Sequence, residues 1–105
     1  MSKHVVSWTD LPDIETRPGV AKREIEGAGA SLAMIRVVPG LQADRHSHPH
    51  EQFVQVISGT GMIETEQGAR AFGPGSVFHF PPNTWHAARF DSGTVLVETN
   101  LNTER

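Results

Sequence analysis

The chain has no cysteine at all. Disulfides, thiolate nucleophiles and cysteine-ligated zinc are therefore excluded, while the redox compartment stays undetermined. No apolar run approaches the roughly 18 residues that a membrane-spanning helix needs. The opening segment, Met1-Ser2-Lys3-His4-Val5-Val6, has no hydrophobic region of the signal-peptide kind. A cytoplasmic protein without a membrane partner is expected. Positive charge is also in deficit, with nine Lys and Arg against twelve Asp and Glu and a formal charge of −3. Nucleic-acid recognition wants a basic stripe, so no nucleic-acid partner is expected. Internal repeats, low-complexity runs, linkers and long helical periodicity are missing as well.

What remains is a chain of 105 residues, 37% hydrophobic. That length fits one domain over 1–105. A domain of this size buries about two-thirds of its unfolded surface, so a self-sufficient core is possible but small. Pairing with a second copy would cover leftover apolar surface, and a homodimer is expected. Short β-branched and aromatic runs alternate with Gly and Pro at roughly 8–12-residue spacing, the pattern of an all-β sandwich or barrel. Strands are predicted at 20–25, 32–38, 52–57, 62–66, 69–72, 76–80, 85–90 and 94–99. The tight turns between them suggest a jelly roll, with 20–100 forming the barrel. Segment 1–19 reads as an arm, in which 5–8 offers an extra edge strand, possible also on a partner subunit.

Six histidines are the unusual content, and three of them fall within five positions, His46-Ser47-His48-Pro49-His50. Side chains two apart on a strand share a face, so His46 and His48 can aim at one point. Imidazole suits Zn, Fe, Ni and Cu. The same parity would add His50 and Gln52, but Pro49 cannot donate to a ladder. Parity alone leaves His50 and Gln52 as alternatives. A solvated polar loop is the other reading of this stretch.

The segment resembles the first motif of the cupin superfamily, with Gly40, His46, His48, Gln52 and Gly59 at the motif's spacings. Gly75, Pro81 and His86 are similar to the second motif. The resemblance is strong over 40–90 and extends with the strand pattern to about 20–100. It implies an all-β cupin jelly-roll barrel (a double-stranded β-helix) that holds one divalent transition metal (Ni, Zn, Mn or Fe) through His46, His48, Gln52 and His86. Gln52 stands where the superfamily usually has Glu, Asn83 where it has Gly, and Phe90 where it has Asn. Asn tolerates the left-handed turn conformation. With a Gln ligand all four donors are neutral, and the ion would keep its full charge, which favours an anionic small-molecule ligand.

Within that superfamily, residues 46–52 resemble the small cupins that convert 4,5-unsaturated uronates to linear keturonates, which also use Gln as a ligand. Those carry a pocket-facing Asp on the last strand and an Arg six residues later. Glu98 is the match here, as a general acid or base. Arg105, seven residues on, is the candidate clamp for a substrate carboxylate. Two other classes remain: a non-haem metal dioxygenase and a non-catalytic metal or small-ligand binding module. Arg36, on the face of Leu32, Met34 and Val38, is a further candidate clamp, although an arginine that snorkels to the surface explains it as well. His50 could stand behind the ion as a proton shuttle. His79 is expected to be a satisfied interior or surface histidine, and His4 an edge residue. Trp85, Phe53 and Ile57 should point away from the ion into packing or a dimer contact.

Overall fold

A computed structural model describes residues 4–102. A 3-10 turn, Trp8–Asp10, precedes ten strands: β1 (Ile14–Arg17), β2 (Val20–Glu26), β3 (Ala30–Val37), β4 (Gln42–His46), β5 (Gln52–Ser58), β6 (Gly61–Thr65), β7 (Gly68–Phe72), β8 (Val77–Phe80), β9 (His86–Phe90) and β10 (Thr94–Leu101). They form a six-stranded sheet, β1-β2-β3-β10-β5-β8, and a four-stranded sheet, β4-β9-β6-β7. Every pairing is antiparallel. The two sheets make the jelly roll that the turn spacing predicts.

Period-two alternation sets the inner faces. Ala33, Ile35 and Val37 of β3, Val54 and Val56 of β5, and Leu96 of β10 are buried, and Phe72, Phe80 and Phe90 close over them from the other strands. Phe72 meets Phe78 and Phe90 edge to face, at centroid distances of 5.4 and 5.7 Å. The inward tracks then change character along their length. On β5 the track runs from Val56 and Val54 to Gln52, and on β10 from Leu96 to Glu98 and Asn100. Glu98 lies in register with Ala33 and Val54, and Asn100 with Ser31 and Gln52. The barrel is thus apolar at one end and polar at the other.

Two strands, β1 and β4, exceed the eight predicted. β4 reads Gln-Ala-Asp-Arg-His and is mostly exposed, so it lacks the hydrophobic alternation that betrays a strand. The edge strand proposed at 5–8 does not form. Residues 5–7 are irregular and lead into the 3-10 turn, where the Ser7 N–H donates to Asp10 Oδ2 at 2.9 Å. Arg23 fixes this segment by donating from Nη1 to the carbonyls of Leu11 (2.7 Å) and Trp8 (3.3 Å). The edge of the large sheet is instead β1.

Gly59 joins the two sheets between β5 and β6. Its φ is +99°, and a Cβ there would run into the Thr94 side chain and the Gly93 carbonyl. Gly40 also has a positive φ, +83°, but faces open space. Left-handed backbone costs a non-glycine residue about 1–2 kcal/mol. Gly40→Ala should lose only that. Gly59→Ala should lose clearly more, lowering Tm by on the order of 10 °C for a domain of this size. Equal losses in thermal denaturation would show that the contact with Thr94 does not matter.

Candidate metal centre

His46 closes β4 and His86 opens β9, and the two are register partners across the small sheet. His48 lies beyond the end of β4. Strand parity is therefore not what aligns it with His46, contrary to expectation. A tether does this instead: the Asn83 N–H donates to the His48 carbonyl at 2.6 Å. Asn83 has φ +66°, the left-handed conformation anticipated for this Gly-to-Asn replacement. The turn that delivers His86 thus also holds the loop that carries His48.

The ligand atoms of His46, His48 and His86 all lie within 4.8 Å of one another. Ring centroids are 4.3 Å apart for His46 and His86, 5.0 Å for His46 and His48, and 5.4 Å for His48 and His86. His46 Nδ1 faces the Asp44 carbonyl at 2.7 Å and His86 Nδ1 faces the Thr84 carbonyl at 3.3 Å. A carbonyl only accepts, so Nδ1 carries a proton in both rings and Nε2 is the nitrogen left to bind an ion. His86 is buried and stacked on Phe80 with centroids 3.9 Å apart. Burial, helped by the neighbouring His46, pushes its pKa down to about 4. Burial also lowers the pKa of His48, with His46 and His50 adding to the effect. Both rings stay neutral near pH 7, the state that a metal ligand needs. This donor set fits a divalent transition metal.

Gln52 opens β5 and faces inward, 4% exposed. Its Nε2 donates to Asn100 Oδ1 at 2.7 Å, which leaves Oε1, the atom that can bind a cation, out of that bond. His50 is not among the three converging imidazoles; its Nε2 is 3.1 Å from the same Asn100 oxygen.

Glu98 faces the barrel interior one step above Leu96. Burial raises its pKa, and this outweighs the opposing pull of Asn100 and Lys22. Glu98 and Glu24 are both register partners of Ala33, so the carboxylate lies on the same inner face as the Lys22–Glu24 pair (3.6 Å). Arg105 lies outside the described residues.

The other candidates sit elsewhere. Arg36 is on the outer face of the large sheet and pairs with Asp13 at 2.7 Å, so it does not join the histidines. His79 is also outward, stacked on Phe53 at 4.6 Å and paired with Glu51 at 2.6 Å. Trp85 carries the Arg45 guanidinium 3.7 Å above its ring. Phe53 and Ile57 are 37% and 52% exposed on the outer face, and His4 is exposed. A groove of about 460 Å³ on the outside of the small sheet, lined by Arg45, Met62, Glu64 and Arg89 among others, contains none of the histidines.

Sequence reasoning missed Asn100 and the Lys22–Glu24 pair. Both were within reach. Extending the alternation of β10 from Leu96 gives Glu98 and then Asn100, and the β2–β3 register places Lys22 opposite Ile35 and Glu24 opposite Ala33.

A two-sheet β-barrel with three histidines clustered at its polar end defines a cupin, and the chain belongs to that family: residues 33–99 match the cupin domain. Among solved structures, it is similar over 99% of its length to an RmlC-like cupin from Shewanella frigidimarina (19% identity, TM-score 0.89, 95% of that chain covered). It is likewise similar to KdgF from a Halomonas species (21% identity, TM-score 0.85, 99% of this chain and 96% of that one). A variant oxalate decarboxylase of Bacillus subtilis matches 92% of the chain at 18% identity and TM-score 0.80, but over only 29% of its own length. That enzyme has Mn(II) centres. No curated protein matches the chain by sequence.

Proposed function

We propose that this cupin binds one divalent transition metal through His46, His48, His86 and Gln52, and that the loaded protein converts a small anionic sugar acid of the unsaturated-uronate type. The observation that carries the reading is the convergence of three imidazoles within 4.8 Å on the side of the barrel that also holds Glu98. A bound divalent ion supplies Lewis-acid polarisation of a substrate oxygen. The chain's own residues do the rest. Gln52 contributes an oxygen donor without charge. Glu98, its pKa raised by burial, is suited to hold and return a proton. Arg105 remains the proposed carboxylate clamp.

The test is elemental analysis of tag-free protein, followed by a panel of unsaturated uronates, other sugar acids and catechols. Near-stoichiometric metal and loss of the substrate's double bond support the reading. Stoichiometric oxygen consumption would replace it with a dioxygenase. Saturable binding without turnover would make the protein a binding module.

The protein is further proposed to work as a homodimer. The outer face of the large sheet exposes Leu32, Phe53, Ile57 and Val77 at 36–63%, and Leu32 and Phe53 flank Thr99 in register. Aliphatic and aromatic side chains gathered on one face mark an interaction surface. Light scattering should give twice the 11.5 kDa protomer mass, and Ile57→Glu with Val77→Glu should reduce it to the protomer. A wild-type monomer would end the proposal.

A further inference from the structure

One amide oxygen holds both candidate fourth ligands. Asn100 Oδ1 accepts from Gln52 Nε2 at 2.7 Å and sits 3.1 Å from His50 Nε2. An amide oxygen only accepts, so both Gln52 Nε2 and His50 Nε2 donate to it, and this bond tethers the His50 ring outside the three converging imidazoles. The same oxygen claims the NH2 end of Gln52, which fixes the flip of that amide and turns Oε1 away from Asn100. His50 is otherwise well placed to compete, since its ring stacks on His48 with centroids 4.9 Å apart and 24° between planes.

The geometry points to Asn100 as the positioning residue that selects Gln52 as the fourth ligand and holds His50 out of the metal centre. This rests on the metal-binding reading and deepens it. Loss of the Asn100 carbonyl frees the Gln52 amide to rotate and releases the His50 ring from its tether, so that the ring can turn its unprotonated nitrogen to an incoming ion. The donor set then changes from three imidazoles and an amide oxygen to four imidazoles. The total donor charge stays zero, but nitrogen replaces oxygen. Asn100 itself touches no ion in either state, and its backbone continues the β10 ladder whatever its side chain.

Copper(II) is the probe, because pulsed electron paramagnetic resonance counts coordinated imidazoles through their remote nitrogens. The wild-type protein should show three. Asn100→Leu should show four, and Asn100→Leu with His50→Ala should return to three. Asn100→Asp keeps an oxygen that accepts from both donors and should stay at three, a rescue that a general loss of packing would not give. His50→Ala alone, a change in the loop rather than the sheet, should leave both the count and the copper affinity unchanged. A count of two in His50→Ala would make His50 a ligand already and overturn the proposal, and so would three in Asn100→Leu. If the wild-type protein takes up no copper, the metal reading itself fails; if it takes up copper with unchanged counts throughout, only the role of Asn100 fails.

Discussion

His86→Ala should lose essentially all tight metal binding, with affinity falling at least 100-fold. Residues that merely support a ligand typically contribute 10- to 100-fold to affinity, and His86 is proposed to contact the ion directly. Of the three clustered imidazoles it is the only one that is buried, and it is the best fixed. Its ring is stacked on Phe80, its Nδ1 faces the Thr84 carbonyl, and its backbone pairs with both His46 and Thr65 across the small sheet. Its depressed pKa also means that no proton competes with the ion at neutral pH. The variant should still fold, because the apolar end of the barrel is untouched and Ala leaves the β9 ladder intact. His79→Ala is the matched control. That ring is also stacked on a phenylalanine, Phe53, but on the outer face of the large sheet, and its loss should leave metal content unchanged. Elemental analysis and titration calorimetry read both variants. Full metal content in His86→Ala would remove the site as drawn. The identity of the metal then sorts the chemistry: iron raises the dioxygenase, whereas nickel, zinc or manganese suits Lewis-acid catalysis.

Much of this site was legible from spacing, and the parts that were not have physical reasons. The β-branched and aromatic runs around Val54, Val56 and Leu96, bounded by Gly-containing turns, identified their strands. β4 escaped because a strand that lines the polar end of a barrel carries no apolar alternation. His48 was correctly placed with His46, but through the wrong cause. Parity requires a continuous strand, while the loop is held by a backbone hydrogen bond from Asn83, a long-range contact that local pattern does not encode. The choice between His50 and Gln52 could not be read locally for the same kind of reason. It is proposed to turn on Asn100, which lies 48 residues from Gln52 in the chain and is brought opposite it by the β5–β10 register. Arg36 looked equally available as a clamp, and only the fold shows that it faces outward to Asp13.

Glu98→Gln should abolish turnover and yet make the protein more stable. Loss of a positioned acid or base typically lowers rate by 10²- to 10⁴-fold, so kcat should fall at least 100-fold, with metal content unchanged because Glu98 is not in the donor set. The stability effect follows from linkage. Burial raises the folded-state pKa of Glu98 above its unfolded value, so the folded protein binds the proton more tightly than the unfolded chain does. The resulting contribution to stability is fully present below the unfolded pKa and is lost as pH rises through the folded pKa. As pH rises through the folded pKa, the wild type must ionise a carboxylate where burial disfavours the charge, whereas glutamine keeps the shape without the charge. Removing that penalty should raise Tm, by about 4 °C or more for each kcal/mol recovered. The gain should shrink as pH falls through and below the ordinary carboxylate range, about 4, because below it Glu98 is protonated in both states and the substitution is close to neutral. A residue that costs stability at working pH and supplies a proton-transfer group shows the trade expected of a functional site. Thermal melts of both proteins across pH 4–8, read beside turnover and metal content, separate the possible outcomes. Lost turnover with a pH-dependent gain in Tm supports the acid/base role. Retained turnover makes Glu98 a bystander, and a Tm difference that does not vary with pH would show that its carboxylate is solvated after all.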